Sequence, residues 1–299
     1  MKILTELGDT QNLSLALGYF DGVHLGHRKV IESAVLHAKN NNNKSAVITF
    51  LQHPCCYLYG VKPKYILPKE KRLEYIQALG IDYVYLLDFN LIKDLTGEDY
   101  IENILIKNFR PTSISTGFNH FFGAKKTGNP ELLKKYSKIY GYKYYEVPPE
   151  KFNNEIISST LIRNLIQDGN IENANLMLGH EFTVSGIVKE GNKLGRTIGF
   201  KTANISYPPD LIEIPYGCYS TETCLDGKTY KSITNFGVKP TVNNCKVPLA
   251  ETHIIDFDQD IYGAKIDVNF KFLIRKEIKF ASLDELKTQI ALDIEKINR

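Results

Sequence analysis

The chain has 299 residues, a net charge of +3, no tryptophan and five cysteines. This length usually corresponds to two domains with separate cores, and the small net charge does not indicate a nucleic-acid or membrane-surface partner. We expect no transmembrane segment or secretory signal, since no apolar stretch approaches the thickness of a bilayer. The cysteines form no paired or metal-binding spacing, so we expect a cytoplasmic protein. We also expect no obligate protein partner.

The first half of the chain alternates predicted strands and helices. Alternating leucines predict a buried strand at 13–17, and apolar residues then recur at helical spacing from Val30 to Ala38. Further strands are predicted at 45–50, 82–87 and 112–116, and further helices at 70–79, 96–109 and 130–141, with caps at Thr96, Asn129 and Gly141. This alternation predicts an α/β, Rossmann-like domain: a parallel sheet with helices on both faces, whose ligands bind beyond the carboxyl ends of the strands.

The pattern changes near Gly179. Short β-rich runs, separated by Gly, Pro and Asn turns, follow at 181–189, 217–224, 230–235, 251–257 and 265–274. Ser282 and Glu285 then form a capping box that begins an amphipathic helix reaching Ile297. We therefore predict a small antiparallel β-barrel with a C-terminal helix, and place the two domains at 1–178 and 182–299.

A ten-residue motif stands between the first strand and the first helix: Gly18-Tyr19-Phe20-Asp21-Gly22-Val23-His24-Leu25-Gly26-His27. Its glycines let backbone approach a ligand closely, and the amides of a helix start together with two imidazoles suit phosphoryl oxygens. Positioning and charge stabilisation suffice for phosphoryl transfer, so no nucleophilic side chain is required. A single loop histidine would more often be structural, but the full pattern in this position favours a phosphate site.

The motif resembles the HxGH signature of the nucleotidyltransferase superfamily, and it is particularly similar to that of the bacterial bifunctional riboflavin kinase/FAD synthetases. Three later segments resemble the same family: His53-Pro54, its flavin-side loop; Gly117–Gly123, its Gly-x-Asn/Asp-x-x-Phe-Gly segment; and Ile157–Arg163, its SSTxxR motif. The chain departs from the family at Gln52, where proline is usual, and at His120, where an aromatic residue is usual. Alone, the SSTxxR segment would be read as a helix cap with a surface arginine.

The resemblance implies that the first domain transfers an adenylyl group from ATP to FMN, giving FAD and pyrophosphate. It assigns catalysis to His24, His27, Asn119 and Arg163. It assigns ATP and phosphate binding to Gly18, Phe20, Asp21, Gly22, Gly26, Ser158, Ser159 and Thr160. It assigns flavin binding to His53, Pro54 and Phe122.

The second half resembles the kinase of the same family. Gly186–Asn204 is similar to its phosphate loop and PTAN motif, 235–241 to its NxGxRPT stretch with Lys239 for arginine, and Glu251–Phe257 to its ExHxxDF strand. The resemblance implies phosphorylation of riboflavin to FMN by ATP and Mg²⁺, with Glu251 as the base for the ribityl 5′-hydroxyl. Thr202 and Asn204 offer the hard oxygen ligands that Mg²⁺ prefers. Phosphate binding falls to Gly186, Gly195, Arg196 and Phe200, and flavin binding to Arg275.

Lys201 is the most consequential departure from the family, since the usual proline would fix φ in the turn that presents Thr202 and Asn204. Lysine removes this constraint and adds a cation, which could either help to hold ATP or loosen the metal site. Two alternatives therefore stay open: an FAD synthetase with an impaired kinase half, and a flavin-binding regulatory protein without turnover. A generic nucleotidyltransferase would explain the first motif but leaves the second half unexplained.

Overall fold

The computed structural model describes residues 1–7, 10–190, 199–239 and 247–298. The chain divides into two compact units, Met1–Ser159 and Thr160–Arg299. The two helices that precede the β-rich region therefore group with the second unit, apart from the first residue of the earlier one. The boundary of the functional domains at 178–182 stays a prediction.

The first unit is built on a six-stranded sheet in the order β1-β4-β3-β2-β5-β6, with every neighbouring pair parallel. All five residues of the central β2 are buried, as expected where helices cover both faces. The predicted α/β architecture is confirmed. The strands are β1 (Lys2–Leu4), β2 (Leu13–Leu17), β3 (Lys44–Phe50), β4 (Tyr83–Leu87), β5 (Ser113–Gly117) and β6 (Lys143–Val147).

The helices of the first unit begin and end close to the predicted caps. Thr96 accepts a hydrogen bond from the Asp99 N–H at 3.1 Å, Asn129 accepts one from the Leu132 N–H at 2.9 Å, and Gly141 ends its helix with φ 78°. The stretch predicted as one helix at 96–109 is π-helical in the middle, over Tyr100–Ile106. The helices are α1 (Leu25–Asn40), α2 (Pro54–Leu58), α3 (Lys69–Ala78), α4 (Gly97–Asp99), α5 (Lys107–Phe109) and α6 (Pro130–Tyr140).

Strand order fixes where a ligand crevice lies. The chain passes from β2 to β3 on one side of the sheet and later places β5 on the other side of β2. The order therefore reverses between β2 and β5, and ligands of open α/β sheets bind outside the carboxyl ends of the strands at such a point. The core beneath it includes Leu15, Ile48, Tyr85, Leu105 and Phe109, each at most 2% exposed.

The second unit contains a six-stranded antiparallel sheet in the order β10-β13-β12-β11-β14-β9. The Lys189 N–H donates to the Asn204 carbonyl at 2.9 Å, which brings the two edges together and nearly closes the predicted barrel. The first unit ends in a short hairpin of β7 (Lys151–Phe152) and β8 (Glu155–Ile156). The elements that follow are α7 (Ser159–Gln167), α8 (Ile171–Leu178), β9 (Phe182–Ile187), β10 (Ala203–Ser206), β11 (Gly217–Leu225), β12 (Lys228–Lys239), β13 (Val247–Ile254), β14 (Lys265–Lys276) and α9 (Leu283–Asn298).

The buried face of this sheet carries a row of five hydroxyl side chains. Hydrogen bonds of 2.8–2.9 Å connect Thr223 to Ser232, Ser232 to Thr221, Thr221 to Thr234, and Thr234 to Thr252. Each of the five residues is at most 2% exposed. Polar atoms withdrawn from water are thereby satisfied by one another.

Some predicted strand limits were wrong. The run predicted at 251–257 ends as a strand at Ile254, because the chain turns at Asp256 with φ 55°. Strands β1, β6 and β10 were not predicted, since each has at most five residues and shows too little alternation to be recognised. In the part of the chain that the structure describes, no helix is both long enough and apolar enough to cross a membrane.

Candidate active sites

The loop after β2 makes a strained turn at the carboxyl edge of the first sheet. Phe20 has φ 57°, Gly22 has φ 80° and Val23 has φ 41°, so three of four consecutive residues are left-handed. The Phe20 ring covers Gly18, where an added Cβ would lie 2.8 Å from a ring carbon. Such strain persists only where the surroundings hold it, and it clusters at functional sites.

His24 and His27 are held together at the start of α1. The His24 ring caps the helix, its Nδ1 accepting the His27 N–H at 3.3 Å, and the two rings stack with centroids 3.6 Å apart. Because Nδ1 is the acceptor, the other ring nitrogen, Nε2, carries the hydrogen of neutral His24. An added Cβ at Gly26 would lie 3.3 Å from the His24 ring, so glycine gives the stacked pair its room.

A buried arginine, which the sequence did not single out, ties this loop to the next strand. Arg72 on α3 is 3% exposed, and its guanidinium donates to the carbonyls of Tyr19 at 3.2 Å and Phe50 at 3.4 Å. The Thr49 hydroxyl also donates to the Tyr19 carbonyl, at 3.0 Å. Arg72 belongs to a charged stretch typical of an exposed helix, so only its burial distinguishes it.

Asp21, predicted to contact ATP, fixes neighbouring backbone. Its buried carboxylate accepts the Ile66 N–H, at 3.2 Å from Oδ1 and 3.4 Å from Oδ2. Its carbonyl accepts the hydroxyl of Ser159 at 3.1 Å, which brings the predicted serine to the same loop. A direct contact of Asp21 with phosphate stays a prediction.

The loops after β3 and β5 lie on either side of the histidine loop, because these strands flank β2. His53 caps α2, accepting the Cys55 N–H at 3.1 Å, and its ring meets the Tyr19 ring edge-on at 4.5 Å. Pro54 is the first residue of α2, a position that suits its fixed φ. Asn119 is exposed just beyond β5. The structure thus gathers three of the predicted segments at one edge of the sheet.

His120, the departure in the Gly117–Gly123 segment, behaves as an aromatic side chain. Burial lowers its pKa to about 4, so the ring is neutral at physiological pH. It stacks on the Phe122 ring with centroids 5.5 Å apart. Phe122 in turn covers Gly128, where an added Cβ would lie 2.3 Å from the ring. Contact of Phe122 with a flavin stays a prediction.

The SSTxxR segment spans the division between the two units. Ser158 and Ser159 end the first unit, whereas Thr160 and Arg163 lie on α7 in the second. Thr160 is exposed and Arg163 is half-buried. The phosphate-binding roles of these residues stay predictions.

In the second unit, strand register brings the predicted base to the predicted metal ligand. Asn204 on β10 and Asn235 on β12 both pair with Glu251 on β13, one on each side of it. Directly paired residues share a face of the sheet, with Cβ atoms about 4.5–5.5 Å apart. Thr202, two residues before Asn204, is half-buried beside the start of β10.

Asn204 has one unsatisfied acceptor. Its Nδ2 donates to the Thr202 carbonyl at 3.3 Å, while its Oδ1 is buried and has no donor among the described residues. A buried acceptor without a donor is costly, and a hard cation would satisfy it. Within the described ranges no group of three His, Cys, Asp or Glu side chains could hold a metal ion. Mg²⁺ commonly uses one or two protein ligands and completes its shell with water and substrate phosphates, so the residues fit it.

The predicted phosphate loop is described only at its ends. Gly186 lies against Ile205, where an added Cβ would be 2.9 Å from the Ile205 Cβ, so glycine lets β9 and β10 approach. The Phe200 ring meets the His253 ring edge-on at 5.2 Å. Gly195 and Arg196 lie outside the described residues, as does 240–241 of the later motif.

Arg275, predicted to face the flavin, docks the C-terminal helix onto the barrel. Its Nε donates to the Asp293 carboxylate of α9 at 2.8 Å, and Asp293 is 0% exposed. Gln289 donates to the other carboxylate oxygen at 2.8 Å. Cys218 lies opposite Arg275 on β11, and burial, together with the nearby Asp293 carboxylate, raises its pKa to about 12. A flavin contact of Arg275 stays a prediction.

Two family models match the chain: FAD synthetase over residues 7–161 and riboflavin kinase over residues 178–299. A bifunctional riboflavin kinase/FMN adenylyltransferase of Buchnera aphidicola is 36% identical and covers 96% of this chain and 94% of the relative. The Listeria monocytogenes protein of that name is 33% identical and covers 97% of this chain and 93% of the relative.

One solved structure aligns over nearly the whole chain. It belongs to a Streptococcus pneumoniae protein described as a macrolide-efflux protein, with a TM-score of 0.89 at 31% identity, covering 99% of this chain and 98% of that chain. The curated relatives and both family models support two flavin activities and favour neither alternative, the kinase-impaired synthetase or the regulatory protein. With one model in each half and relatives matched end to end, the chain belongs to the family of bifunctional riboflavin kinase/FMN adenylyltransferases, which make FMN from riboflavin and FAD from FMN.

Proposed function

We propose that adenylyl transfer takes place at the carboxyl edge of the first sheet, where a phosphate oxygen of FMN attacks the α-phosphorus of ATP. The bond from that phosphorus to the β-phosphate bridging oxygen breaks, and pyrophosphate leaves. The observation that carries this proposal is the stacked His24–His27 pair at the start of α1. Imidazole N–H groups and helix amides placed there stabilise negative charge as it develops on the phosphoryl oxygens.

The remaining residues of the first site divide between the two substrates. Asn119 and Arg163 stabilise the transferring and departing phosphates. Flavin binding falls to His53, Pro54 and Phe122, of which His53 touches the histidine loop through Tyr19. Phosphates of ATP are held by Gly18, Phe20, Asp21, Gly22, Gly26, Ser158, Ser159 and Thr160, through backbone amides and hydroxyls.

In the second half, Glu251 takes the proton of the ribityl 5′-hydroxyl as that oxygen attacks the γ-phosphorus of ATP, and ADP leaves. The buried Oδ1 of Asn204, paired across the strands with Glu251, supports this placement. Asn204 and Thr202 would hold Mg²⁺, which when bound offsets charge on the phosphate oxygens. Gly186, Gly195, Arg196 and Phe200 serve the phosphates, and Arg275 serves the flavin.

The two sites act in sequence on small molecules in the cytoplasm. Riboflavin, FMN and ATP are the substrates, and FMN released by the second half is the acceptor in the first. The reaction needs no nucleic acid and no protein partner. Each half has its own ATP site, so each can be inactivated separately.

Product analysis tests this division of labour. Purified protein is given riboflavin, ATP and Mg²⁺, and riboflavin, FMN and FAD are separated by chromatography over time. The wild type should show transient FMN followed by FAD. His27→Ala should accumulate FMN, and Glu251→Gln should make FAD only from added FMN. If either folded variant loses both activities, the assignment of one site to each half is wrong.

Lys201 had left open a kinase-impaired synthetase, which the family models and the curated relatives do not favour. It predicts a different product pattern in the same experiment. The wild type would make no FMN from riboflavin but would still make FAD from added FMN.

A further inference from the structure

We propose that the ion pair of Lys201 with Asp258 restrains the metal-binding turn in place of the proline found in the PTAN motif, and that it forms a brace together with the hydrogen bond from His253 to the Lys201 carbonyl. His253 and Asp258 act as positioning residues for Thr202 and Asn204. The inference rests on the proposed kinase site and concerns how this chain keeps that site ordered.

The backbone of Lys201 is held by His253. Its carbonyl accepts a hydrogen bond from His253 Nδ1 at 2.8 Å, which puts the proton of neutral His253 on Nδ1. The ladder between β10 and β13 ends at the pair of Ala203 and Thr252, one residue short of His253. The His253 side chain therefore attaches the residues just before β10 to β13, beyond the last backbone pair of the two strands.

The side chain of Lys201 is held separately. Its ammonium forms an ion pair with the carboxylate of Asp258, in the segment that follows β13. A cavity of about 50 Å³ is lined by residues of both segments, among them Lys201, Thr202, Ala203, Phe257, Gln259 and Asp260. The ion pair thus joins two segments that line the same cavity.

Together these contacts fix both sides of Thr202. The carbonyl before it is bound to His253, and the residue after it belongs to the β10 ladder. Proline at position 201 would fix φ through its ring and would keep the carbonyl that His253 binds, whereas here the ion pair supplies the restraint that the ring would give. The Lys201 charge is directed to Asp258 and is thereby partly neutralised.

The pair of Lys201 and Asp258 is exposed, with side-chain exposures of 48% and 89%, so its contribution is modest. We expect Asp258→Asn to raise the Mg²⁺ concentration for half-maximal FMN formation by about two- to fivefold with kcat little changed, as for loss of an exposed ion pair. His253→Ala should have a larger effect, and His253→Gln, which keeps an N–H donor, should restore part of it.

Hydrogen exchange of the backbone over 199–206 gives a readout that needs no turnover. We expect faster exchange in Asp258→Asn and in His253→Ala than in the wild type. Asp226→Asn, in the exposed turn between β11 and β12, is the matched control and should change neither exchange nor Mg²⁺ requirement.

Lys201→Pro supplies the decisive comparison. In that background the ring fixes φ and no ammonium is present, so adding Asp258→Asn should have no further effect on exchange or Mg²⁺ requirement. If Asp258→Asn acts equally in both backgrounds, or has no effect in the wild type, the brace is refuted. Absence of FMN from the wild type would instead reject the kinase proposal, while the exchange comparison would still decide the brace. FAD formation from added FMN reports on folding of the other half in every variant.

Discussion

Arg72 and Tyr19 are joined twice: the guanidinium lies 4.6 Å from the centre of the Tyr19 ring and also donates to the Tyr19 carbonyl. The same guanidinium donates to Phe50 at the end of β3. These carbonyl acceptors stabilise the buried positive charge of the guanidinium. In turn, Arg72 holds the strained histidine loop to the neighbouring strand.

Arg72→Met should lower the rate of FAD formation from added FMN by about ten- to a hundredfold, because a small displacement of a catalytic loop is costly. It should also destabilise the first unit by about 2 kcal/mol, since two carbonyls lose a charged donor. Arg72→Lys should recover only part of the rate, because one ammonium cannot reproduce the planar contacts. Pyrophosphate release measures the rate, and an unchanged rate in Arg72→Met would contradict the role.

Gly26→Ala should separate stability from activity. Alanine in the first turn of α1 should leave the free energy of unfolding unchanged or raise it by up to about 1 kcal/mol. The new methyl would nevertheless press on the His24 ring at 3.3 Å and tilt the stacked pair. We expect FAD formation to fall at least tenfold while FMN formation in the same sample is retained. Urea unfolding with both product assays checks this, and equal losses of both products would argue for misfolding.

Asp293→Asn should loosen α9 from the barrel. Removing a buried charge partner leaves Arg275 uncompensated, at a cost of about 2–3 kcal/mol since the arginine is partly accessible. Urea unfolding, monitored by a signal that reports on the barrel, measures the loss in its free energy of unfolding. Cys218 provides a second readout: its raised pKa of about 12 keeps the thiol protonated and unreactive, and it should become easier to alkylate in the variant. Mass spectrometry distinguishes it from the other cysteines.

His120 should make stability of the first unit depend on pH. Its folded pKa, lowered by burial to about 4, lies below the unfolded value of 6.5. Below pH 6.5 the unfolded chain therefore binds a proton that the folded chain does not, and stability falls until about pH 4. Between pH 7 and pH 5 the loss attributable to this residue is about 2 kcal/mol. His120→Phe should remove this contribution to the pH dependence of the free energy of unfolding. The same pH dependence in the variant and in the wild type would contradict the role given to His120.

The sequence predicted the parallel sheet, the helix caps and the position of the histidine motif beyond the carboxyl end of β2, because these follow from local periodicity and from motif position. It did not predict Arg72, since a charged residue on a helix is ordinarily exposed. The sequence also did not predict that Asp21 binds the Ile66 backbone or that Arg275 binds Asp293, because tertiary packing alone brings these residues together. From the sequence alone, Lys201 looked harmful to the kinase site. Its contacts with Asp258 and with the His253 side chain could not be predicted, because they form only in the folded chain.

The hydroxyl row inside the barrel has a consequence for which sequences this domain can accept. Every member can donate once, so the direction in which one hydroxyl points constrains the next, and the row behaves as one unit. Replacing Ser232 by an apolar residue would remove two hydrogen bonds, leaving Thr223 without its partner in the row and Thr221 with Thr234 alone, whereas a change at Thr252 removes only the bond to Thr234. Single substitutions should therefore be tolerated better at the end of the row than in its interior. A change in the interior requires matching changes at the hydroxyl residues that it contacts.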